Sequence, residues 1–400
     1  MPEEPGFLLI SNGYGEDIVA SHIAVKLRER LPGARIAGFP TVGQGKFYTR
    51  MGVDCADTGA ELPSEGFVRS IGDFVRDVRS GFFTKTIRLG KRLRRTSEDF
   101  QYLIPVGDTY VLLFTSLFTS HGPEMKIFVN VQTSEWYGSH KPFKQHFSFI
   151  ERLWTRNMSE RVYVRDRRTL EFLHARGMSQ ARCCGNTMMD CFTVRESPVF
   201  PTRGALVGIL PGSKQEAYEN LKVALEIARQ VSDLGGPYNY AVALSPQLSV
   251  ERAARECNLE SPAGTAGALY GRFAMKGSPA EIFISQGAFG DILNESTAVI
   301  GTSGTGNEQA AGMGKPVFGF WGRGPQITEK FMRAQKRLLG PSLILHPPDP
   351  SRIAAAMIET LGDGNLLSRI ESNGKERMAG RGSIDCIVRE IVGYAGETHT

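Results

Sequence analysis

The stretch "GTSGTGNEQAAGMGKPVFGF", Gly301 to Phe320, decides the fold. An apolar run, "TAVI", leads into it, and its first six residues hold three glycines, two threonines and a serine. The small residues "NEQAAGMG" then read as a helix and "KPVFGF" as the next strand. Strand, glycine turn, helix, strand is the repeating unit of a parallel α/β sheet. Backbone N–H groups at a helix start lack intrahelical partners, and glycine lets the chain approach whatever lies in front of them. The helix dipole favours an anion there. Ser303 and Thr305, on either side of Gly304, add hydroxyl donors. The turn reads as a phosphate or diphosphate cradle, and a plain capped turn is the alternative.

The same pattern occurs three more times. In "ILPGSKQE", Ile209 to Glu216, Gly212 shapes the turn, Ser213 offers a hydroxyl and Lys214 a cation for a phosphate. The other reading makes Ser213 the N-cap of "QEAYENLKVALEIARQV" and Lys214 a solvated charge. In "SNGYGEDIVA", Ser11 to Ala20, the turn carries Asn12, Gly13 and Gly15, and the helix start carries Glu16 and Asp17. Two acids would repel a phosphate and suit a sugar hydroxyl or a proton. They also complement the dipole, and Glu16 reads first as a capping residue. In "PVGDTYVLLF", Asp108 sits at the carboxyl end of a strand, placed as a general base or as the N-cap of a helix beginning near Tyr110.

Working outward, "FLLIS", "ARIAGFP", "YLIPVG", "KIFVNV" and "RVYVR" read as buried strands of a first sheet. "ALVGIL", "YAVALS", "EIFIS", "TAVIG", "KPVFGFW" and "SLILHPP" read as strands of a second. The proline-bearing "VRESPVFPTRG" separates them. The expected fold class is α/β, with two Rossmann-like doubly wound domains facing a cleft. Residues 1–198 form the first, 199–375 the second, and 376–400 a helix packing back on the first. Ligands of such sheets bind beyond the carboxyl ends of the strands.

The totals fit a globular chain of two domains: 400 residues, 41 % apolar and 22 % charged. The net charge of +5 is mild. No apolar run approaches the roughly 18 to 20 residues that span a bilayer. The six cysteines form no CxxC pair, adjacent Cys183 and Cys184 are poor disulfide partners, and a reduced, cytoplasmic protein without a zinc site is expected. The histidines make no ligand pattern, and His121 and His140 read as surface residues. Residues 66–95 combine apolar positions at helical spacing with a run of Lys and Arg. That composition suits peripheral contact with an anionic membrane, or a domain-packed helix with solvated cations. No nucleic-acid motif accompanies it.

Together these turns resemble the lipid-A-disaccharide synthase family of GT-B glycosyltransferases. "GEDIVASHIAVKL", "GFPTVGQGKFYTRMGV", "GNTMMDCF", "LPGSKQE" and "TSGTGNEQAAGMGKPV" stand in the family's order, across roughly residues 8 to 320. The resemblance implies inverting, metal-independent sugar transfer without a cofactor. The donor would be a UDP-sugar of N-acetylglucosamine type, held by the second domain. The acceptor would be a lipid-linked sugar met by the first domain at the inner face of the membrane. Asp108, then Asp17, would take the acceptor proton. Gly212, Ser213, Lys214, Ser303, Gly304 and Thr305 would hold the diphosphate, with Asn12, Gly13, Gly15 and Glu16 on the acceptor side. A UDP-N-acetylglucosamine 2-epimerase-like enzyme and a non-catalytic sugar-nucleotide or lipid binder are the rivals.

Three departures mark a divergent member. The family's "PGSR" is "PGSK" here, and lysine cannot fork onto a phosphate as arginine does. The family's acidic motif is reduced to "GDTYVLLF", which leaves Asp108. The family's ribose-holding glutamate stands seven residues before the proline of "G-x-P". Counted back from Pro316, that position is Gln309, with Glu308 beside it as second choice.

Overall fold

The structure is a computed structural model that describes residues 4–59, 82–119, 125–138, 146–201, 204–261, 266–267, 269–322 and 327–398. His121, His140 and most of the expected basic segment, up to residue 81, lie outside them. The chain divides into two compact units, Met1–Cys191 with Arg381–Thr400, and Phe192–Gly380.

The first unit is built on strands β1 (Gly6–Ser11), β2 (Arg35–Pro40), β3 (Asp54–Cys55), β4 (Tyr102–Gly107), β5 (Met125–Asn130), β6 (Arg161–Val164) and β7 (Ala181–Cys183). All pair in parallel, in the order β3-β2-β1-β4-β5-β6-β7. Every residue of β1 and β4 is buried, as central strands covered by helices on both faces require. The order reverses between β1 and β4, which makes their carboxyl ends the topological switch point.

The second unit holds β8 (Ala205–Leu210), β9 (Tyr238–Ala243), β10 (Leu259–Glu260), β11 (Ala266–Gly267), β12 (Tyr270–Met275), β13 (Glu281–Ser285), β14 (Ser296–Gly301), β15 (Val317–Phe320) and β16 (Leu343–His346). Its main order is β10-β12-β13-β9-β8-β14-β15-β16, with the switch point between β8 and β14. β12 runs antiparallel to β10, β11 and β13. This edge was not expected from sequence, because its strands are short or only partly buried and lack a continuous apolar run.

The chain passes between units after Cys191, seven residues before the boundary expected after residue 198, for a local reason. Phe192 packs edge-on against Phe289, the Arg195 guanidinium pairs with buried Asp291, and the Glu295 carboxylate accepts the N–H groups of Val199 and Phe200. These contacts bind residues 192–200 to the second unit. The return is equally specific. Ile384, Ile387, Val388, Ile391 and Ala395 of the helix Ser383–Thr398 enter the same core cluster as Val19, Ile23 and Leu27. Within "GNTMMDCF", the Asp190 carboxylate accepts the N–H groups of Gly382 (2.6 Å) and Ile384 (2.7 Å) and so caps that helix.

The returning helix also corrects the expectation of free thiols. Cys184 and Cys386 form a disulfide, with Cα atoms 5.7 Å apart and 202 residues between them in sequence. Their spacing suggests no pairing, and only the docking of the last helix brings them together. Asp190→Ala should lower the urea-unfolding free energy of the first unit by about 1–2 kcal/mol, the usual cost of a lost cap. An unchanged unfolding curve would show that the cap does not hold the helix.

Candidate functional site

In the first unit, the turn after β1 starts the helix Tyr14–Arg30 through Gly13, whose φ of 128° favours glycine. No side chain caps this helix, so the capping role expected of Glu16 is not what the structure shows. Glu16 is instead buried, at 3 % exposure, with Oε1 accepting from Gln132 Nε2 and Oε2 without a partner among the described residues. Burial pushes its carboxyl up to about 7, against the hydrogen bond from Gln132, with further push from Asp108 and Asp17.

Asp17 is spoken for. Its Oδ1 accepts from Ser11 Oγ at 2.6 Å, and that hydroxyl lies 2.7 Å from the buried Tyr48 hydroxyl. Burial raises its carboxyl to about 6 while the Ser11 bond pulls it down. Tyr48 comes from the segment "GQGKFYTRMGV", and its ring fills the space beside Gly38, where a Cβ would stand 2.4 Å from it. Asp17 therefore ties β1 to that segment. Of the neighbouring residues, Asn12 accepts from Thr41 Oγ1 at 3.0 Å and so braces the β2 turn. Gly15 has open space around it.

At the end of β4, Gly107 has a φ of 151°, and a Cβ there would lie 3.4 Å from Glu16 Cγ. The two strand ends thus bring Asp108 beside Glu16 at the switch point. Asp108 is partly exposed and caps the helix Thr109–Phe118, with Oδ1 accepting from the N–H groups of Tyr110 (3.0 Å) and Val111 (3.3 Å). Burial nevertheless holds its carboxyl above the usual range. Sequence reasoning did not single out Gln132, Ser11 or Tyr48, whose roles become visible only through their partners.

In the second unit, Gly212 has a φ of 107°. Ser213 does not cap the following helix, which begins only at Ala217 and has no side-chain cap. A turn intervenes, closed by Ala217 N–H to Lys214 carbonyl at 2.9 Å. That leaves the side chains of Ser213 and Lys214 exposed and, among the described residues, without hydrogen-bond or ion-pair partners. Across the switch point, Thr302 N–H donates to Leu210 carbonyl at 3.0 Å and fastens the β14 turn to β8.

In that turn Ser303 Oγ accepts from Gly306 N–H at 3.2 Å, which leaves its own proton free to donate. Among the described residues, the N–H groups of Ser303, Gly304 and Thr305 donate to nothing. They open the helix Thr305–Gly312. Gln309 is buried at 5 % exposure, while Glu308 is partly exposed. Gly301 is required here by packing, since a Cβ would come within 2.0 Å of Asn307 Oδ1.

Glu16 dictates a pH dependence of stability. Its unfolded value is near 4.5 and its folded value about 7. Between these the folded chain keeps a proton that the unfolded chain has lost, so its contribution to stability falls as pH rises through that window and levels off above it. Glu16→Gln keeps an acceptor for Gln132 and removes the titration. Its urea-unfolding free energy should fall less steeply from pH 4.5 to 7 than the wild type's, and parallel curves would contradict the burial of an ionisable group.

No family model matches the chain, and no curated protein matches it in sequence. Solved structures do. CalG4, the calicheamicin glycosyltransferase, is similar with a TM-score of 0.65 and 12 % identity, over 98 % of this chain and 99 % of that one. The UDP-GlcNAc 2-epimerase from Neisseria meningitidis, bound to UDP-GlcNAc, gives 0.61 and 13 %, over 97 % and 100 %. MurG of Acinetobacter baumannii gives 0.56 and 12 %, over 97 % and 99 %. At such identities the likeness shows the fold: two α/β units with parallel sheets, the GT-B fold that transferases and epimerases share.

Proposed function

We propose that the chain is a glycosyltransferase that moves a sugar from a UDP-sugar to a lipid-borne sugar acceptor with inversion. The observation that carries the donor half is the set of unpaired N–H groups at Ser303, Gly304 and Thr305, at the switch point of the second unit. Lys214, exposed and without an ion-pair partner, sits on the facing strand end. Donors fixed in place before reaction stabilise a departing diphosphate most effectively. The neighbour from N. meningitidis holds UDP-GlcNAc, which supports a uridine nucleotide as the donor class. Glu308, the partly exposed member of the acid–amide pair, is the better candidate for the ribose, and buried Gln309 shapes the helix beneath it.

The acid–base half is proposed for the first unit. Asp108 keeps the role of base because it reaches solvent, whereas Asp17 is held by Ser11 and Glu16 lies behind the surface. Its raised carboxyl pKa suits proton transfer nearer neutral pH.

A lipid-borne acceptor is supported by apolar exposure on three helices, of which only the first belongs to the segment expected from sequence. In the described part of that segment, the helix Phe82–Ser97, Leu89 and Leu93 are buried in the core. Exposed apolar residues on it and two further helices include Ile87 on that helix, Tyr110 and Leu117 on Thr109–Phe118, and Phe149, Ile150 and Leu153 on Phe149–Met158. The three helices pack in sequence, and Arg88, Lys91, Arg94 and Arg156 are exposed on the outer two.

Asp108→Asn separates chemistry from structure, because asparagine caps a helix as well as aspartate does. The variant should bind UDP as the wild type does while turnover drops by about a hundredfold or more. Full turnover would remove Asp108 as the base. The product assay decides the reaction class: a transferase consumes UDP-sugar only with a lipid-linked sugar present. Conversion of UDP-sugar alone marks an epimerase, and nucleotide binding without turnover marks a binding protein.

The double variant Phe149→Glu and Leu153→Glu should lose co-sedimentation with anionic phospholipid vesicles while keeping UDP binding. Undiminished co-sedimentation would remove this face from the membrane reading.

A further inference from the structure

The glycine turn of the second unit has a polar floor that no motif announces. Gln335 lies on the helix Glu329–Leu339, one strand further along the chain, and is buried at 2 % exposure. Its Nε2 donates to the Gly304 carbonyl at 2.7 Å and to the Ser303 carbonyl at 3.3 Å. Its Oε1 accepts from Asn307 Nδ2 at 2.9 Å, and the same Nδ2 lies 3.3 Å from the Gly301 carbonyl. Two carbonyls on one end and an N–H donor on the other fix which end of the Gln335 amide is nitrogen.

The consequence concerns peptide orientation. A peptide unit carries its C=O and N–H on opposite sides. Holding the carbonyls of Ser303 and Gly304 against the buried Gln335 amide turns the N–H groups of the following residues, Gly304 and Thr305, the other way. Those N–H groups are among the ones without a partner. Without Gln335, the Ser303 carbonyl would lose its partner and the Gly304 carbonyl would keep only the long bond from Glu308 N–H (3.4 Å), so both could swing toward the ligand side, where they would repel an anion. Glycine at 304 makes that swing easy, so the turn needs an external brace to keep one orientation.

We infer that Gln335 is a positioning residue for diphosphate recognition, acting through the carbonyls of Ser303 and Gly304. The inference rests on the donor reading above and adds to it a residue that touches no ligand. It predicts selectivity in the damage done by its loss. Only the part of the ligand that meets the N–H groups, the diphosphate, should be affected.

Gln335→Met keeps volume and removes both donors and the acceptor. Its affinity for UDP, measured by calorimetry, should fall by about tenfold or more, while the affinity for uridine, which carries no phosphate, stays at the wild-type value. In the wild type, UDP should also shift the amide resonances of Ser303, Gly304 and Thr305. That measurement carries the test if the variant fails to fold, and unshifted amides would overturn the inference. If wild-type protein binds UDP and Gln335→Met binds it equally well, the inference falls while the donor reading stands. Equal weakening of UDP and uridine also overturns it, because that pattern marks general damage. Wild-type protein that binds no UDP removes the donor reading, and the inference with it.

Discussion

A parallel sheet satisfies its backbone groups along the strands but not beyond their carboxyl ends, where each chain must turn into a helix. At most strand ends a neighbouring connection covers the gap. Where the strand order reverses, between β1 and β4 and again between β8 and β14, the connections leave in opposite directions and open a crevice. Every group in the candidate site stands at one of these two places. The constraint is topological, and it assigns position before chemistry. The first switch point received carboxylates and the second received unpaired N–H groups with a lysine.

The two ends solve opposite electrostatic problems. In the first unit, Glu16 and Asp108 lie together under partial or full burial, and both carboxyls are pushed toward the neutral form. Gln132 steadies one oxygen of Glu16 and leaves the other unpaired. In the second unit, the helix Thr305–Gly312 begins with N–H groups that have no partner among the described residues, while buried Asn307 and Gln335 take up the carbonyls. The acid–base work and the anion recognition proposed above are thus assigned to different units.

Much of this was legible in the sequence. The glycine turns and the apolar runs of β1, β4, β8 and β14 are local, because period, burial and turn chemistry are properties of neighbours in the chain. Asp108 could be marked as base or cap from its place after "PVG", and the structure shows that it caps, which leaves its role as base to chemistry. The capping reading of Glu16 failed because dipole complementarity is local, whereas its hydrogen-bond partner Gln132 stands 116 residues away in the chain. The capping alternative for Ser213 falls away for another local reason: a turn intervenes before Ala217 and moves the helix start past its reach.

The sequence by itself determined two doubly wound α/β units and the four turns that carry polar groups at strand ends. Each of those depends on interactions within about ten residues. Only the tertiary structure decided which groups are occupied and which are free. Asp17 is tied up by Ser11 and Tyr48, the Ser303 and Gly304 carbonyls by Gln335, and Cys184 by Cys386. Partners so far apart in the chain meet only when sheets and helices have packed. Whether a polar group is left to meet a ligand is therefore settled by burial and distance rather than by motif.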